Sequence, residues 1–132
     1  METLNYIAGR WQAAQDGREF EVRNPADDTL IARVADGGAA DARLAADAAS
    51  QALAAWKART PRERCLVLKK WHALIERDVE HLAELISREQ GKPLAEARGE
   101  IAYANGYIEW FAEEGVRAYG EIVPAPVSSR RL

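Results

Sequence analysis

The chain has 132 residues, of which 48% are hydrophobic and 30% charged, the balance of one soluble globular domain rather than of a disordered or repetitive polymer. Eighteen Lys and Arg against 21 Asp and Glu leave a net charge of −3 and a pI near 5.5, without the basic footprint that phosphate-backbone binding needs. The single cysteine, Cys65, excludes an internal disulfide and a zinc cluster built on several thiolates.

The opening Met1-Glu-Thr-Leu-Asn has no basic region followed by an apolar run, so it does not read as a secretory signal. The most apolar stretch, Ala45 to Trp56, is alanine-rich, contains Asp47 and runs into Lys57. It falls short of the ~20 apolar residues that span a bilayer. A soluble, reduced, cytoplasmic chain is expected, with no nucleic-acid or membrane partner.

Residues 1–37 read as a β-rich lead. Leu4 to Trp11 reads as one strand, and Glu19 to Arg23 as a second, with Phe20 and Val22 alternating with charge. Asp16-Gly17 between them suits a hairpin turn, because both residues tolerate positive φ. Asn24-Pro25 stops the second strand, since proline offers no ladder donor. Asp27-Asp28 fits a turn, and Thr29 to Val34 reads as a third strand before Gly37-Gly38.

From Ala39 the period changes to that of a helix. Leu44, Ala48, Ala52 and Trp56 form one apolar stripe. Thr60-Pro61-Arg62-Glu63 is a helix start: Thr60 caps, Pro61 suits the first helical position, and Glu63 completes a capping box. Leu66-Val67, Trp71 and Leu74-Ile75 supply the face expected to be buried. Asp78 is placed to cap a third helix with Leu82, Leu85 and Ile86, which Gly91 and Pro93 end. A fourth helix is expected from about Leu94 to Tyr119, stopping at Gly120. Its Gly99, Gly106 and Gly115 each cost about 1 kcal/mol against alanine. They mark either a frayed or kinked helix or a close approach by another element. Ile101, Tyr107 and Phe111 share a stripe that reads as core. Glu121-Ile-Val-Pro-Ala-Pro is extended.

Nothing in these elements forms a catalytic constellation. Arg62 and Arg64 precede Cys65, and their charge would favour a thiolate. Cys65 nevertheless sits mid-helix with no oxyanion-hole loop beside it, and reads as a small packed hydrophobe. His72 and His81 are nine residues apart, too far for an i,i+4 ligand pair, and read as solvated surface groups. Glu109, Glu113 and Glu114 read as a wet helix face, with Glu113 and Arg117 an i,i+4 pair. Gly37-Gly38 precedes a helix N-terminus that in principle holds an anion, but no G-x-G-x-x-G or lysine-containing phosphate loop accompanies it.

The order of motifs, however, is familiar. Tyr6-Ile7-Ala8-Gly9-Arg10-Trp11 and Val22-Arg23-Asn24-Pro25, then the alanine-rich helix ending in Trp56 and Thr60-Pro61-Arg62-Glu63-Arg64, resemble the opening of the aldehyde dehydrogenase superfamily. Glu89-Gln90-Gly91-Lys92-Pro93-Leu94-Ala95-Glu96-Ala97 is similar to its helix-break motif. Gly99-Glu100-Ile101 with Tyr107-Ile108-Glu109-Trp110-Phe111-Ala112-Glu113-Glu114 resembles the succinate-semialdehyde dehydrogenase branch, to which glutarate-semialdehyde dehydrogenases are closely related. The likeness runs in register from about Tyr6 to Leu132.

The resemblance implies an α+β segment: short N-terminal strands and about four helices, the N-terminal part of a Rossmann-like α/β coenzyme domain. Residues 1–37 are then the β-rich lead, 38–120 the helical part, and 121–132 the start of an oligomerisation arm, with Arg130-Arg131-Leu132 beginning a strand. It implies an enzyme that oxidises succinic semialdehyde or a similar semialdehyde with NAD or NADP. A cysteine thioester forms on the way, and a glutamate activates the water that hydrolyses it. All these catalytic and coenzyme parts belong downstream of the matched region, so Cys65 receives no catalytic role and the segment alone is expected to be inactive.

Three positions match residues that hold a structural monovalent cation in some members: Val22 and Arg23 through carbonyls, Glu89 through its carboxylate. Tyr103 and Tyr107 fall on the helix that borders the substrate entrance, although packing is the plainer role for both. Asp27-Asp28 stands where the family's turn usually has threonine-glycine; aspartate adopts αL at a small cost, so the same turn shape is expected. A dimer or tetramer of identical chains follows from family habit. The alternatives are a stand-alone helical interaction module, with apolar helix faces as its interface, or an artefact of gene prediction or cloning.

Overall fold

The computed structural model describes residues 2–121 and 123–129. The first strand expected from the sequence is in fact two: β1 (Asn5–Ile7) and β2 (Arg10–Gln12) pair antiparallel, Ile7 opposite Arg10. The chain reverses at Ala8-Gly9, where both residues have positive φ, 53° and 77°. That is the backbone of a two-residue hairpin whose twist matches its strands. The run Tyr6 to Trp11 conceals the turn because Ala8 is no turn former. Gly9 was the available signal.

Asp16-Gly17 does turn, with Gly17 at φ 72° and its N–H donating to the Ala14 carbonyl at 2.9 Å. It links two hairpins instead of pairing the strands on either side. The second hairpin is β3 (Glu19–Arg23) against β4 (Leu30–Ala35), with a bulge that gives β4 one extra residue, Ile31, between the partners of Val22 and Arg23. Asp28 closes the connection in αL at φ 57°, the turn shape expected of the aspartate pair. Its carbonyl accepts from Arg23 Nη1 at 2.8 Å.

Four helices follow: α1 (Ala39–Ala58), α2 (Pro61–Arg77), α3 (Val79–Gln90) and α4 (Leu94–Glu114). Thr60 and Glu63 form the expected capping box, with Thr60 Oγ1 accepting from Glu63 N at 3.2 Å and Glu63 Oε2 accepting from Thr60 N at 2.7 Å. Gly91, in αL at φ 71°, caps α3 and sends its N–H to the Ser87 carbonyl. Asp78 precedes α3 but makes no side-chain cap; its carboxylate takes two hydrogen bonds from Arg77 instead.

α4 ends five residues before the expected Tyr119. Gly115 sits at its C-terminus, and beyond it the chain passes into turns. Glycine's weak helix preference explains the stop. Around Gly99 and Gly106 there is open space, so no described element packs closely there. The strand expected at Arg130-Arg131-Leu132 lies outside the described residues.

The core lies where α3 and α4 meet. Ala83 and Ala97 are fully buried and Ile101 nearly so, surrounded by Ile75, Val79, Leu82, Ile86 and Leu94. Val79, Leu82, Ala83 and Ile86 recur at i, i+3, i+4 and i+7, one helical face. Alanines at the crossing let the backbones approach, while Ile101 supplies bulk worth roughly 1.5–3 kcal/mol when buried. From α2 only Ile75 joins this cluster; Leu66, Val67, Trp71 and Leu74, expected inside, are exposed. α1 lies against the first hairpin, with Ala45, Ala48, Ala49 and Ala52 lining a cleft beside Tyr6 and Ile7.

Candidate functional site

The helical period of α4 gives it two faces. Leu94, Ala97, Ile101, Asn105 and Ala112 turn inward. Tyr103, Tyr107, Trp110 and Phe111, at i, i+4, i+7 and i+8, share the other face. They are 70%, 49%, 62% and 60% exposed, so the tyrosines are not buried packing, and the stripe of Ile101, Tyr107 and Phe111 is split between opposite sides. With Ala102 and Gly106 the four aromatics line an open groove of about 420 Å³.

The groove has an ordered interior. Tyr103 and Tyr107 meet edge to face with centroids 5.0 Å apart, and Tyr107 stacks on Phe111 at 6.4 Å. The two hydroxyl oxygens are 2.6 Å apart. This hydrogen bond to Tyr103 holds the Tyr107 phenol above its ordinary value. Either phenol can be the donor in this pair, and the hydroxyl that accepts keeps its own hydrogen for an outside acceptor. These hydroxyls and the Trp110 indole N–H are the polar side-chain groups among the groove's lining residues.

Val22, Arg23 and Glu89, the positions the resemblance matches to a cation, belong to another part of the fold. Val22 and Arg23 end β3, and the loop that follows reaches the C-terminus of α3. A Cβ on Gly91 would sit 3.0 Å from Pro25 Cγ, so glycine is needed there for space as well as for its φ. Glu89 is exposed two residues before Gly91. The Arg23 guanidinium is engaged by Glu21 at 2.6 and 2.9 Å, and this bond is the main reason the Glu21 carboxyl titrates below its usual range. Among the described residues, no three His, Cys, Asp or Glu side chains converge as a metal site would require.

A dinucleotide phosphate does not fit the start of α1. Asp41, 6% exposed, already fills that position. Its Oδ2 accepts from Gly38 N at 2.9 Å and its Oδ1 from Gln15 N at 3.1 Å. A second anion would meet this carboxylate instead of free N–H groups.

The remaining candidates are structural. Cys65 is half-buried on α2. His72 is not solvated: its side chain is 18% exposed, with Nδ1 3.3 Å from the Asn105 carbonyl and Nε2 3.5 Å from Glu76. His81 is exposed, as expected. Glu113 bridges to Lys69 of α2 at 2.8 Å, while Arg117 pairs with Glu114. The expected Glu113–Arg117 pair gives way to a cross-helix link and a shorter-range one. Asn105 was missed. It is 5% exposed and donates from Nδ2 to the His72 carbonyl at 3.2 Å, tying α4 to α2. Its polarity in an otherwise apolar inward stripe was the signal.

Residues 11–131 match the aldehyde dehydrogenase family, and the chain belongs to that family. It is 47% identical to a glutarate-semialdehyde dehydrogenase of Pseudomonas putida, over 96% of this chain and 26% of the relative. It is 44% identical to a 3-sulfolactaldehyde dehydrogenase of Pseudomonas putida, with the same two shares. The crystal structure of a succinate-semialdehyde dehydrogenase from Burkholderia pseudomallei superposes with a TM-score of 0.90 at 46% identity, over 96% of this chain and 26% of that one. The chain therefore spans about a quarter of the length of the relatives it matches. No helix of the described residues is long and apolar enough to cross a membrane.

Proposed function

We propose that this chain is the N-terminal segment of an NAD- or NADP-dependent dehydrogenase that oxidises succinic semialdehyde, or a similar aldehyde with an acid group at its far end, to the acid. The observation that carries this reading is the 47% identity extending in register over 96% of the chain. The three relatives named above are called after glutarate semialdehyde, 3-sulfolactaldehyde and succinate semialdehyde, each an aldehyde bearing a carboxylate or sulfonate.

In this reading, residues 38–120 are the helical part of a coenzyme domain and residues 121–132 begin an oligomerisation arm of a cytoplasmic homo-oligomer. Bound coenzyme supplies the hydride acceptor; among the described residues none makes a phosphate cradle for it, and the segment's own contribution is shape. Tyr103 and Tyr107 border the substrate entrance. Val22 and Arg23 carbonyls with the Glu89 carboxylate hold a structural monovalent cation, a reading supported by the approach of Pro25 to Gly91 and by the partial negative charge at a helix C-terminus.

Grafting tests the reading. Residues 1–132 replace the matching quarter of the Pseudomonas putida glutarate-semialdehyde dehydrogenase, joined in the alignment register. The graft is expected to reduce coenzyme in the presence of glutarate semialdehyde, and the 132-residue chain alone to show no turnover. Turnover by the isolated chain, or a folded graft without activity, would overturn it.

A further inference from the structure

We infer that the cleft between α2 and α4, beside the start of α3, binds a primary ammonium group carried on a short alkyl chain. This site stands apart from the dehydrogenase reading. The cleft has about 420 Å³, within the size range of small-molecule sites. Its polar side chains are His72 and Glu76 of α2 and Asn105 and Glu109 of α4, while Val79 and Ile101 give it apolar walls. None of its lining residues is Lys or Arg.

What these polar groups have left to offer is acceptors. His72 Nδ1 is 3.3 Å from the Asn105 carbonyl. A carbonyl only accepts, so Nδ1 carries the ring hydrogen, and Nε2 of the neutral ring keeps a lone pair. That lone pair faces Glu76 Oε2 at 3.5 Å, two acceptors with no hydrogen between them. The orientation of the Asn105 amide is fixed, because its Nδ2 donates to the His72 carbonyl at 3.2 Å and a flipped amide would set two oxygens face to face. Asn105 Oδ1 is therefore a buried acceptor without a donor, in a residue only 5% exposed. Together with the two carboxylates it gives the cleft a negative potential that no side chain lining it offsets. Lys69, three residues before His72 and close enough to sense Glu109, commits its ammonium to Glu113 at 2.8 Å.

The complement is a positively charged donor with an apolar stem. A proton on Nε2 would join the ring to Glu76 but would leave the apolar walls empty and Asn105 Oδ1 unpaired. A metal ion lacks its ligands, since no three His, Cys, Asp or Glu side chains converge among the described residues. An ammonium brings three hydrogens. One nitrogen can stand about 2.8 Å from both Nε2 and Oε2, with the third hydrogen left for Asn105 and the stem laid along Val79 and Ile101.

Saturation-transfer NMR, which reads weak ligands on small and large proteins alike, tests the site with n-butylammonium on both the 132-residue chain and the graft. The amine should give a saturable signal with a dissociation constant in the millimolar range, and 1-butanol none. Tetramethylammonium, which has the charge without the hydrogens, should bind at least about fivefold more weakly. Glu76 is a rim residue, with its side chain 64% exposed, so Glu76→Gln leaves the fold intact and should raise the dissociation constant about fivefold. Glu109→Gln should act in the same direction, and Glu114→Gln, outside the cleft, should change nothing. Equal signals from amine and alcohol, or amine binding indifferent to both Glu76→Gln and Glu109→Gln, would overturn the proposal. So would zinc ion alone shifting the His72 ring signals where the amine does not, or cleft signals that broaden only with protein concentration; these would assign the acceptors to a metal or to a second copy.

Discussion

At the scale of single residues, the structure turns on a few positions where no other side chain serves. Gly91 is the clearest, since it needs both a left-handed backbone and room for Pro25 at the end of the β3–β4 connection. Gly91→Ala should destabilise the chain by about 1–2 kcal/mol from the αL penalty alone, and by more if Pro25 has to retreat. Urea denaturation of the two proteins measures this, and an unchanged midpoint would contradict it. Ala8 and Asp28 occupy the same backbone region without glycine's freedom. Asp28 at least gains a contact between its carbonyl and Arg23.

Helix ends show which elements were readable in advance. The Thr60–Glu63 box could be read from four adjacent residues because both partners lie within one turn. Thr60→Ala should cost about 1 kcal/mol. The Thr60 backbone N–H and hydroxyl hold the Glu63 carboxyl below its ordinary value. A depressed folded-state value makes this contribution complete above the ordinary carboxylate value and removes it as pH falls from there through the lower folded-state value. Wild type should therefore lose more stability on acidification than Glu63→Gln, as thermal melts across the acidic range would show; parallel losses would rule out the box as the cause. Pairings were less legible. β1 with β2 depends on a turn at Ala8, which has no local preference for it, and Glu113 chose Lys69, distant in sequence, over Arg117, four residues on and already past the end of α4. The split of α4 into two faces follows from helical period, but which face is inward is settled by α2 and α3. For that reason the tyrosines read as core in the sequence and stand exposed in the structure.

For the whole molecule, the described residues bury little of their aromatic surface, and none of their large side chains is fully enclosed. Trp11, Trp71 and Trp110 are each more than half exposed. The isolated chain should thus show tryptophan emission close to that of the unfolded protein, readily quenched by iodide. A blue-shifted, protected emission would mean that these faces are covered in solution. The strongest long-range unit is the α2–α3–α4 packing around Ala83, Ala97 and Ile101. The hairpins join it through narrow contacts, such as Pro25 on Gly91, rather than through a common core.

Asp41 gives one of those narrow contacts a dynamic consequence. By accepting from both Gly38, at the start of α1, and Gln15, twenty-six residues earlier in the chain than itself, it makes one carboxylate the latch for two separate pieces of backbone. Fraying of the first turn of α1 and release of the segment after β2 become a single opening event. The amino end of this helix, ordinarily the first part of a helix to loosen, breathes only when the chain preceding the second hairpin lets go as well.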